Sequence, residues 1–159
     1  MKALARLPMI LLLVAGSTPA AGQTSALAGF EPFLGEWAMG DAVSTFEWGP
    51  GRSSVVGRSY QVREGERVLV SLGIWYWHPG EEAVAGRVSA TGMPVALFEY
   101  ETRVVDGALV SDLVAFGPDG QRSRYVETME LMGEDRYEWR LLQAADTSRV
   151  VMRGVFTRR

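Results

Sequence analysis

A chain of 159 residues, 47% of them hydrophobic, has room for one domain with an ordinary core and little left for a second folding unit. Cysteine is absent, which excludes a disulfide framework, a thiol nucleophile and a lipid-modified cysteine anchor. The net charge of −3, with no basic run beyond Arg158 and Arg159, argues against nucleic acid as a partner.

The chain opens with a positive segment carrying Lys2 and Arg6, a nearly continuous apolar stretch from Leu7 to Ala15, and small residues with a proline from Ser17 to Gly22. This order is that of a secretory signal peptide over residues 1–22, with cleavage after Ala20 or after Gly22. The apolar stretch falls short of the roughly 20 residues needed to cross a bilayer, so no membrane span is expected. An exported protein, periplasmic or secreted, follows. Losing Lys2 and Arg6 with the signal takes the net charge from −3 to −5. Lys2 is the only lysine and asparagine is absent, which excludes Schiff-base chemistry and a phosphate-loop lysine. The use of arginine for lysine, and of valine and leucine for isoleucine, points to a GC-rich bacterial coding sequence.

The mature part, 23–159, reads as one domain. Ala26 to Phe33 predicts a short helical turn able to plug an open end, and Pro32 allows nothing longer. Beyond it, short runs rich in Val, Leu, Tyr, Phe and Trp alternate with turn formers such as Glu64-Gly65, Thr91-Gly92, Asp106-Gly107 and Gly117-Pro118-Asp119-Gly120. Strands are predicted near 35–40, 43–48, 53–63, 67–77, 82–89, 93–103, 108–117, 121–132, 136–143 and 148–157. About ten antiparallel strands joined by short hairpins make an all-β, up-and-down barrel. The segment 122–132 carries an alternative: Tyr125, Met129 and Met132 stand at helical spacing. The strand is preferred because Gly133 closes the run and Tyr137-Glu138-Trp139-Arg140-Leu141 then alternates as a hairpin's return arm.

The segment Phe30-Glu31-Pro32-Phe33-Leu34-Gly35-Glu36-Trp37 resembles the entry of calycin-type barrels, in which a short helix leads to Leu-Gly-x-Trp. Phe46-Glu47-Trp48, Val55-Val56-Gly57-Arg58-Ser59-Tyr60 and Met152-Arg153-Gly154-Val155-Phe156-Thr157-Arg158 likewise resemble exported bacterial lipocalin-like domains. The resemblance implies a lipocalin-like barrel with Trp37 closing its floor. Nitrobindin, a haem-binding relative in architecture, begins similarly but needs a histidine on a strand. The single histidine here, His78, precedes Pro79-Gly80 in a turn, so no haem or other cofactor is expected.

His78 reads as a turn residue against Trp77, with no second histidine, cysteine or carboxylate cluster beside it to make a metal or acid-base site. Trp75 and Trp77 share one strand face and Tyr76 takes the other. These rings, with Trp48, Tyr60 and Tyr125, either fill a core or line a pocket for an apolar ligand. Arg58, Glu99, Glu127 and Arg140 are the polar residues set among inward candidates, where an unpaired charge is costly and normally has a partner or a ligand. Arg58 falls in phase with Val56 and Tyr60, Glu127 with Tyr125 and Met129, and Arg140 with Glu138 and Leu142. The competing assignment is a set of cross-strand ion pairs facing water, the natural one for Arg140 beside Glu138. No catalytic motif is present. The residues point to a binding protein for a small apolar molecule, with a packed accessory domain or a barrel enzyme using Glu127 as base as alternatives.

Overall fold

The computed structural model describes residues 26–159. The expected signal segment lies outside the described residues. From Gly35 onward the chain forms ten strands: β1 (Gly35–Met39), β2 (Ala42–Trp48), β3 (Ser54–Arg63), β4 (Glu66–His78), β5 (Ala83–Ala90), β6 (Leu97–Val105), β7 (Ala108–Phe116), β8 (Arg122–Leu131), β9 (Arg136–Gln143) and β10 (Asp146–Arg158). Each pairs antiparallel with its sequence neighbour, and β1 pairs with β10, so the sheet closes into a barrel. Closure leaves no edge strand with unpaired backbone groups.

The period-two pattern is visible on β7, where Leu109, Ser111, Leu113 and Ala115 are buried and Asp112 between them is exposed. Residues 122–131 are strand, with Met129 placed between Leu109 of β7 and Trp139 of β9. A helix there would leave two long strands with bare edges, a tertiary cost that outweighs the local helical spacing. Glu64-Gly65 and Asp106-Gly107 have positive φ at both residues, the geometry of tight two-residue hairpins. Without asparagine, Glu64 and Asp106 take the strained first position. The strand expected from residue 93 begins at Leu97 instead. Pro94 has no N–H for a ladder, and 91–96 form the connection.

One end of the barrel is solid. A 3-10 helix, Ala28–Phe33, lies across it and buries Phe30 and Phe33. Phe33 meets the ring of Tyr137 edge-on, and Tyr137 in turn packs edge-on against Trp37 and stacks on Phe156 at 4.9 Å. The Trp37 Nε1–H donates to the carbonyl of Phe33 at 2.7 Å, so the floor tryptophan is tied to the plug. Arg158 completes the tie: its guanidinium lies 4.1 Å over the Trp37 ring and donates to the carbonyls of Leu34 (2.7 Å) and Pro32 (2.9 Å). The last strand thereby satisfies carbonyls at the helix end that have no partner within it.

Candidate functional site

The opposite half of the barrel is hollow. A cavity of about 470 Å³ runs from the plug, where Phe30 lines it, to the mouth, where Met39, Ala42, Gln61, Met93 and Met152 surround it. Its volume lies within the roughly 300–1,000 Å³ of small-molecule sites. The walls are mainly apolar and aromatic: Phe46, Trp75, Phe98, Tyr100, Leu113, Met129, Tyr137 and Trp139.

Glycines determine how Trp75 sits. A Cβ on Gly57 would come within 2.8 Å of the indole, one on Gly86 within 2.6 Å, and one on Gly73 within 3.2 Å. These positions, on β3, β5 and β4, form a side-chain-free bed around the ring. The indole occupies the space their side chains would have taken, which keeps it against the wall and leaves the centre of the barrel open. Phe46 and Tyr100 contact it edge-on at 6.2 and 5.5 Å between ring centres.

Glu127 is the carboxyl group of this interior. It sits on β8 opposite Ser111 of β7 and Leu141 of β9. Ser111 shares a buried 2.9 Å hydrogen bond with the hydroxyl of Thr102 on β6. The Trp139 side chain hydrogen-bonds to the Glu127 carboxyl, which favours its charged form, yet enclosure by the wall dominates and raises its pKa from 4.5 to about 7. Tyr100 and Tyr137 face the same space, and burial, reinforced by Glu127, lifts both phenols well above their ordinary value. The remaining accessibility of Glu127 is to the cavity it lines.

Of the residues singled out from sequence, Tyr60, Trp75 and Glu127 line this cavity. Tyr125 shares the phase of Glu127 and packs on the core without lining the cavity, as does Trp77. Trp48 also packs on the core, with Arg52 stacked 4.7 Å over its ring. The other charges lie outside. Arg58 borders the cavity wall, but its side chain pairs with Glu47 on the outer face. Tyr60 follows a register shift in β3 and lines the cavity beside Gln61, within electrostatic reach of Arg58 and Arg67. Glu99 meets Arg87 at 3.4 Å, and Arg140 pairs with Glu138. Their inward placement is corrected for one reason: Tyr100, Trp139 and Gly57 of β3 hold the inner phase, so their sequence neighbours turn out. His78 ends β4, its Nδ1 accepting the backbone N–H of Glu81 at 3.2 Å.

Sequence reasoning missed Phe46, Tyr100, Tyr137 and Trp139 as lining residues. The signal for two of them was present, because the alternation that pairs Arg140 with Glu138 puts Tyr137 and Trp139 on the other face. Fold and cavity define a closed ten-stranded antiparallel β-barrel, consistent with a lipocalin-like fold, plugged at one end and open at the other. No protein-family model matches the chain, and no curated protein matches it.

Proposed function

We propose that the protein is an exported carrier or sensor that holds a small, largely apolar molecule in the barrel, with aromatic walls supplying contact area and Glu127 the polar anchor. The observation that carries this is the cavity of about 470 Å³, walled by aromatic and aliphatic side chains around one enclosed carboxyl group. The apolar rim supports it too: Val68, Leu69, Met93, Leu97, Val150, Val151 and Met152, all exposed, belong to the strand ends and connections at the mouth. An apolar entrance reduces the desolvation barrier for an apolar guest. A packed accessory domain acting through its outer surface would have a filled interior, and the open centre weighs against it.

Calorimetric titration with decanol tests the proposal. Saturable one-to-one binding is expected, and it should be lost in Ser44→Phe, which places a ring in the cavity while leaving the barrel's circular dichroism unchanged. Failure of every apolar or amphipathic probe to bind the wild-type protein would end it.

A further inference from the structure

If the barrel holds an apolar guest, as proposed above, the next question is which polar group that guest carries. Among the described residues, no arginine or histidine pairs with Glu127; its partner is the Trp139 side chain. The one arginine bordering the cavity, Arg58, is already paired outside with Glu47. The titratable groups that face Glu127 from the packed strands are Tyr100 of β6 and Tyr137 of β9, both neutral. On β7 it faces Ser111, and on β9 Leu141. Arginines on neighbouring strands, such as Arg124, Arg140 and Arg153, are out of phase with the interior.

The interior is therefore able to carry one negative charge and no positive one. Its walls, Trp75, Tyr100 and Trp139 among them, are aromatic and uncharged, and can flank a cation as well as an apolar chain. An anionic head group placed here would meet a carboxyl and aromatic faces with no donor cation. A neutral head would leave the carboxyl unpaired. A protonated amine would satisfy both.

We infer that the barrel selects amphipathic organic cations, a protonated amine on an apolar body, with Glu127 as the counter-ion inside the cavity and the aromatic rings as its flanks. The amine's apolar part fills the aromatic chamber, and its ammonium group sits at the row formed by Thr102, Ser111 and Glu127. This selection is opposite to that of a barrel lined by arginine, which would take carboxylic acids.

The test compares three probes of equal chain length, decylamine, decanol and decanoate, by calorimetry with the full mature protein and with Glu127→Gln. At about pH 8, decylamine should bind at least about tenfold tighter than decanol, and decanoate weakest. Lowering the pH from about 8 to about 6 protonates the free carboxyl and should weaken decylamine about tenfold, while decanol binding holds or strengthens. At the lower pH the amine should release close to one proton per molecule bound, seen as buffer-dependent heat. Glu127→Gln should bring decylamine to the level of decanol and remove the proton release. Decanol and decylamine of equal affinity in the wild-type protein would overturn the inference and leave the carrier proposal standing. No binding by any probe would overturn both.

Discussion

Replacing Glu127 by glutamine keeps the shape of the side chain and an acceptor for Trp139 while removing the group that titrates. The native protein holds the Glu127 proton more tightly than the unfolded chain does, since the folded pKa is raised from 4.5 to about 7. The residue is therefore without effect on stability while protonated in both states, and becomes increasingly unfavourable to folding as the pH rises from the lower value through the higher. At ~1.4 kcal/mol per pH unit, the difference amounts to about 3 kcal/mol when ionisation is complete. About 2 kcal/mol of it falls between about pH 5 and about pH 8.

Urea unfolding of both proteins at these two pH values measures this directly. Wild type should lose stability relative to Glu127→Gln as the pH rises, with the midpoints separating by roughly 1 M urea. Exposed carboxylates do not mimic the effect. Glu36 and Glu138 are held below their ordinary value by hydrogen bonds from Arg67 and Arg140, so their contribution is present above the carboxylate range and lost on acidification below it. Their sign is opposite and their window lies lower. Parallel pH dependences for the two proteins would refute the enclosure of Glu127.

Three further outcomes follow from the geometry. Arg158→Met removes the donors to Leu34 and Pro32 and the cation over Trp37, and should cost about 2 kcal/mol in urea unfolding; a loss below about 0.5 kcal/mol would mean that the plug holds without it. Gly86→Ala puts a methyl 2.6 Å from the Trp75 ring, and should destabilise by about 1–3 kcal/mol while shifting the tryptophan emission; unchanged emission would contradict the glycine bed. Tyr100 and Tyr137 should stay protonated through the range in which an ordinary phenol ionises, so neither Tyr100→Phe nor Tyr137→Phe should reduce the tyrosinate absorbance developed across that range; a reduction in either would place that phenol in water.

The barrel was largely legible because two local signals recur along the chain: an oily alternate face in the strands, and a glycine in eight of the nine connections between them. The plug was legible too, through Phe30, Phe33 and the proline that limits the helix. The role of Arg158 was not. A terminal arginine next to another looks like solvated charge, and only the pairing of β10 with β1 brings its guanidinium to the helix end, 126 residues away in sequence from Pro32. Such long-range contacts leave no trace in local pattern. The strand at 122–131 shows the reverse effect, a local helical spacing overruled by two waiting neighbours.

The charges show why register was the hard part. Arg58 has apolar or aromatic phase mates in Val56 and Tyr60, which suits an inward residue, yet it faces water. The outer wall of this barrel is itself apolar in places, with Leu72 and Ile74 of β4 exposed, so oily phase mates do not distinguish its two faces. Glycines do. Gly57, Gly73 and Gly86 look like weak points in their strands, but they stand on the inner phase because a bulky ring on a neighbouring position needs their missing side chains. Reading Gly57 as an inward marker turns Arg58 out at once, and reading Gly73 inward places Trp75 against the wall. The same logic leaves Glu127, whose phase mates Tyr125 and Met129 both pack on the core, as the charge that has to face the interior. The inner face of such a barrel is thus marked most reliably by where it lacks side chains, because a cavity must be made by omission before any residue can line it.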